Sequence, residues 1–104
     1  MSERQRLPNR RRSETFSFES QGLPFTATFS RDADGEVREV FLTNHRATSQ
    51  AGINASDSAI VCSIALQHLV PFDTIRRALS RDSQRRGSGP LAVAMDIIAG
   101  EQTK

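Results

Sequence analysis

Asp57-Ser58-Ala59-Ile60-Val61-Cys62-Ser63-Ile64-Ala65-Leu66-Gln67-His68-Leu69 has too many apolar residues for a single helical face. At 3.6 residues per turn, Ile60, Val61, Ile64, Ala65, Leu66 and Leu69 fall around most of the circumference, and Cys62 fills a remaining gap. The pattern predicts a central helix covered on several sides. The other periodic segments are one-sided, so each is expected to form a layer against it.

Upstream, Thr15-Phe16-Ser17-Phe18-Glu19 alternates with both phenylalanines on one side, and Phe25, Ala27 and Phe29 repeat that pattern. Gln21-Gly22 between them reads as a tight hairpin turn, with Gly22 at positive φ. Pro24 places the start of the second strand at an edge or a bulge. Asp32-Ala33-Asp34-Gly35 is a second turn, closed by Asp side chains. In the third strand, Val40 and Leu42 form one face, while Val37, Glu39 and Phe41 are expected on the other.

Asn44 to Asn54 reads as a polar connection into the central helix, which Asn54 or Ser56 would cap, with Asp57 in the first turn. Val70-Pro71 ends that helix and Pro71 opens a second. Its Phe72, Ile75, Ala78 and Leu79 make one stripe, with Arg76, Arg77 and Arg81 facing away. After a basic loop, Pro90 starts a third helix with a Leu91, Ala94, Met95, Ile98 stripe, stopped by Gly100. The predicted fold is α+β with two layers, a three-stranded antiparallel meander followed by three helices (βββααα).

The chain has 104 residues, 37% of them hydrophobic and 25% charged, the size and composition of one globular domain. Residues 1–12 carry five arginines against Glu3, a net +4 in a chain whose total is +2, so the remainder sums to −2. Residues 1–13 have Pro8 and, after the initiator Met, only Leu7 as a sizeable hydrophobe, and are expected to be a disordered basic tail ahead of a domain spanning 14–104. Apolar runs stay short of a membrane span and no secretory leader is recognisable, so the expected compartment is the cytoplasm.

Cys62 is the sole thiol, and within an apolar helix it reads as a small hydrophobe rather than a nucleophile. His45 and His68 have no clustered carboxylate or histidine spacing for a metal, and no cofactor-binding glycine pattern is present. His68 near a helix C-terminus suits the negative end of the dipole. Arg46, Thr48 and Ser49, with Asn54, offer a cation, hydroxyls and backbone N–H groups before a helix, a composition suited to an anion such as phosphate. A different reading gives the tail (Arg10, Arg11, Arg12) and Arg76, Arg77, Arg81, Arg85 and Arg86 to nucleic acid, although no aromatic residues are interleaved for base stacking. The sheet face carrying Phe41 and Val37 is expected to be covered by a second copy in a homodimer.

The pieces Ser63-Ile64-Ala65-Leu66-Gln67-His68, Val70-Pro71-Phe72-Asp73-Thr74-Ile75-Arg76-Arg77-Ala78-Leu79-Ser80-Arg81-Asp82 and Gly89-Pro90-Leu91-Ala92-Val93-Ala94-Met95-Asp96-Ile97-Ile98 together resemble the TSCPD domain. That domain stands at the C-terminus of adenosylcobalamin-dependent ribonucleotide reductases and also occurs as short stand-alone proteins. The resemblance covers about two-thirds of the chain. It implies a non-catalytic accessory or ligand-binding module, linked to deoxyribonucleotide metabolism, with a nucleotide or phosphate as ligand. The cysteine-containing motif that names the domain is absent, and Leu69 stands where the family commonly has a small residue.

Overall fold

The computed structural model describes residues 12–44 and 49–102. Strands β1 (Arg12–Ser20), β2 (Leu23–Arg31) and β3 (Val37–Asn44) form an antiparallel sheet in the order β1-β2-β3. Helices α1 (Gln50–Gln67), α2 (Phe72–Ala78) and α3 (Pro90–Gln102) follow. The βββααα order and two-layer α+β architecture match the expectation from periodicity. Of the expected tail, residues 1–11 lie outside the described residues, whereas Arg12 and Ser13 already belong to β1, paired with Arg31 and Ser30.

Both turns form as their residues dictate. Gln21 and Gly22 have φ of 53° and 77°, the paired positive values that let a two-residue loop follow the strand twist. In the second turn, Asp32 accepts from the Asp34 and Glu36 N–H groups at 2.8 and 3.1 Å while Gly35 sits at φ 85°. Pro24 lies in the central strand, not an edge strand. It pairs with Glu19, and the β3 ladder reaches only to Phe25, so at this position β2 is paired on one side.

Phe25, Ala27, Phe29, Val40 and Leu42 form the buried sheet face, with Phe16 and Phe18 packed against it from β1. Val37 joins them at 1% exposure instead of facing out with Phe41. Opposite Ser30 stands Glu39 and opposite Arg31 stands Val37, so Arg38 is an extra residue. This bulge reverses the alternation and turns Val37 inward.

Helix α1 departs most from expectation. It starts at Gln50, capped by Ser49, whose Oγ accepts from the Gly52 N–H at 3.1 Å. The cap is therefore neither Asn54 nor Ser56, and half of the expected loop is helical. Nor is the helix covered on several sides. Its buried residues are Gly52, Ala55, Ala59, Cys62, Ser63, Leu66 and Gln67, while Ile53, Ile60, Val61, Ile64 and Leu69 are exposed. Small residues let α1 lie close to β3, with large aliphatics on the outside.

The α2 stripe of Phe72, Ile75 and Leu79 packs on the core, with Pro71 as the residue before the helix rather than its first turn. In α3, Leu91, Ala94, Met95 and Ile98 are all buried as predicted. That helix runs through Gly100, which is not at positive φ and therefore does not terminate it.

Candidate functional site

A cleft of about 380 Å³ opens between the β1–β2 turn, the first turns of α1 and the start of α3. Leu23, Phe25, Leu79 and Leu91 give it apolar walls, and Ala51 and Ala55 keep the α1 side low. Ser20, Gln21, Asn54, Ser58 and Ser80 supply its polar groups. Ser58 donates to the Ala55 carbonyl at 2.8 Å, and Gln21 Nε2 to the Ser88 carbonyl at 3.1 Å, so both are partly committed to the fold. The Asn54 Oδ1 accepts from Gln50 Nε2 at 3.1 Å. Ser20 is 6% exposed, and its Oγ has no hydrogen-bond partner among the described residues.

Of the anion-site residues named from sequence, Asn54 lies on this cleft and Ser49 is used as the α1 cap. Arg46 and Thr48 lie outside the described residues, as does His45. The cleft itself was not legible as a unit. It is assembled from the hairpin turn, the first helix and the third, which no local pattern joins.

The basic surface is reorganised by Asp96. Arg76 and Arg81 do not face away into solvent. Arg81 holds the Asp96 carboxylate with two nitrogens at 2.9 and 3.0 Å and donates to the Arg76 carbonyl at 2.7 Å. Arg76 bonds both Asp73 and Asp96, at 2.8 and 3.2 Å, and the Gly87 N–H reaches Asp96 at 3.1 Å. Two of the five arginines thus tie α2 and its following loop to α3, while Arg77, Arg85 and Arg86 remain exposed. Arg77 and Arg86 also pair with Asp73 and Asp82, at 2.8 and 3.2 Å. Arg10, Arg11 and the side chain of Arg12 lie outside the described residues.

Cys62 is buried against the sheet, and burial pushes its thiol up to about 11, the opposite of an activated nucleophile. His68 is the C-cap of α1 and is exposed. Among the described residues no group of three His, Cys, Asp or Glu side chains could hold a metal ion. No described helix is long and apolar enough to cross a membrane.

Sequence reasoning missed Ser63 and Gln67. Ser63 Oγ accepts from the Val40 N–H at 2.9 Å and donates to the Val40 carbonyl at 2.8 Å, and Gln67 Nε2 donates to the Arg38 carbonyl at 3.2 Å. Together they satisfy the outer main chain of β3, and their signal was two polar residues on the helix's small-residue face. Comparison with protein-family models, curated proteins and solved structures finds no match for this chain.

Proposed function

We propose that this chain is a non-catalytic ligand-binding or accessory module related to the TSCPD domain, serving deoxyribonucleotide metabolism, with the α1–α3 cleft as its nucleotide site. The observation that carries the reading is Asn54, a candidate from sequence alone, on the wall of a cleft whose volume suits a small ligand. A planar base would lie against Leu79 and Leu91 while the Asn54 amide donates to its edge. The buried, unpartnered Ser20 hydroxyl supports the same site. Such a group costs about 1–3 kcal/mol, and a polar ligand atom would relieve that cost. The resemblance of residues 57–98 supplies the link to nucleotides.

Thermal unfolding with added nucleoside mono-, di- and triphosphates tests this. A ligand at ~100 times its Kd adds roughly 2.7 kcal/mol to stability. Ala51→Phe, at a half-buried position lining the cleft, should remove the shift without unfolding the chain. A panel of nucleotides that leaves the transition unmoved rules out the nucleotide reading.

A further inference from the structure

At the start of α3 the cleft brings a helix terminus up to a buried hydroxyl. Helix geometry leaves the Leu91 and Ala92 N–H groups without an intrahelical acceptor, and Pro90 at the first position has no N–H. The first helical bond, from the Val93 N–H to the Gly89 carbonyl at 3.0 Å, puts Gly89 at the N-cap, where it has no side chain to accept from them. The first turn holds no acidic residue either. A Cβ built on Gly89 would meet nothing within 4 Å, so the space in front of the helix is open. Gly89, Leu91 and Ala92 all line the cleft.

Ser20 is a second and independent sign of a ligand at this place. It continues the Phe16 and Phe18 alternation on the sheet face turned toward the helices. It is 6% exposed, it lines the cleft, and its Oγ has no hydrogen-bond partner among the described residues. The bond from Gln21 Nε2 to the Ser88 carbonyl at 3.1 Å holds this end of β1 against the residue before Gly89. One hydroxyl and two main-chain N–H groups thus stand at the positive end of a helix dipole, a donor set for one oxyanion. No Arg, Lys or His is among the described residues lining the cleft, so nothing there balances a second or third phosphoryl group. We propose that the α3 end of the cleft is a single-phosphate subsite, which makes the ligand a nucleoside monophosphate rather than a di- or triphosphate. The subsite rests on the nucleotide reading of the cleft and adds the position and number of the phosphates.

Isothermal titration of the full chain in magnesium-free buffer tests the subsite, with each common deoxynucleoside, its 5′-monophosphate and its 5′-triphosphate as probes. At least one monophosphate should bind ~10-fold or more tighter than its nucleoside, the worth of a hydrogen bond to a charged group, and no more weakly than its triphosphate. Gly89→Asp places a carboxylate on the same N–H groups. It should raise the thermal midpoint, as an acid capping the positive end of a helix, and erase the advantage of the monophosphate over the nucleoside. Damage to the fold would instead lower the midpoint. Ser20→Ala should weaken the monophosphate ~10-fold while nucleoside affinity and the unliganded midpoint do not fall, because the hydroxyl has no partner to lose. Equal affinity for nucleoside and monophosphate, preference for the triphosphate, or full monophosphate affinity in Gly89→Asp would overturn the subsite and leave the nucleotide reading of the cleft standing. No binding by any of these compounds would overturn both.

Discussion

Ser63 on α1 bonds both main-chain groups of Val40 on β3, accepting from the N–H at 2.9 Å and donating to the carbonyl at 2.8 Å. One hydroxyl thereby closes two polar groups that an edge strand would otherwise leave without a partner. Replacing it by alanine leaves both buried, at about 1–3 kcal/mol each, so Ser63→Ala should cost about 2–4 kcal/mol in urea unfolding. Ser58→Ala removes only a bond to the Ala55 carbonyl within its own helix and should change stability by less than about 0.5 kcal/mol. Equal losses in the two variants would show that the bridge to β3 contributes nothing beyond an ordinary serine.

Periodicity carried the element order, both turns and the α3 stripe, because these depend on neighbours three or four residues away. It failed where tertiary geometry intervenes. The bulge at Arg38 moved Val37 from one sheet face to the other, a shift invisible to strict alternation. In α1, counting apolar residues suggested burial all round. Residue size was the better signal, because Ala55, Ala59 and Cys62 admit close approach to the sheet while the branched residues stand outside. Arg76 and Arg81 read as a solvated basic face because Asp96, their partner, lies fifteen or more residues away in sequence.

Gly87 has a steric role that its sequence context conceals. A Cβ placed there would lie 2.6 Å from the Ala92 Cβ and 2.7 Å from the Ala92 carbonyl carbon, and backbone atoms cannot yield cheaply. Gly87→Ala should therefore destabilise by about 1–3 kcal/mol. Gly89, two residues later, has nothing within 4 Å of its added Cβ, and Gly89→Ala should stay within about 0.5 kcal/mol of wild type. Thermal denaturation of the two variants side by side checks the contrast.

Acid should loosen the α2–α3 tie. Burial pushes the Asp96 carboxyl upward, but Arg81, the Gly87 N–H and Arg76 outweigh it and hold the group below its ordinary value. Asp32 behaves alike, with burial opposed by the Glu36 N–H and Arg38. A depressed carboxyl contributes stability that is present above its unfolded value, near 3.9, and lost as pH falls through the lower folded value. Urea midpoints should be flat from neutral pH down to about 5 and fall below about 4. Asp96→Asn should be weaker at neutral pH with a shallower acid decline, whereas an unchanged decline would place the acid sensitivity elsewhere.

Leu69 ends α1 in a conformation that favours glycine. Its φ is 69°, its N–H donates to the Leu66 carbonyl at 3.0 Å, and the Val70 N–H reaches the Ala65 carbonyl at 3.0 Å, the paired bonds of a left-handed helix stop. A branched side chain there bears the strain of left-handed geometry while remaining 62% exposed, so little packing repays it. Leu69→Gly removes the strain but adds chain entropy to the unfolded state, and the two effects oppose each other. The αL preference should win at a helix stop whose two bonds are already made, giving a gain of about 0.5–1 kcal/mol. Leu69→Ala serves as the reference, since it trims the same side chain yet keeps the Cβ that causes the strain. If the alanine and glycine variants unfold at the same urea concentration, the relief of the positive φ does not exceed the entropy that glycine adds to the unfolded state.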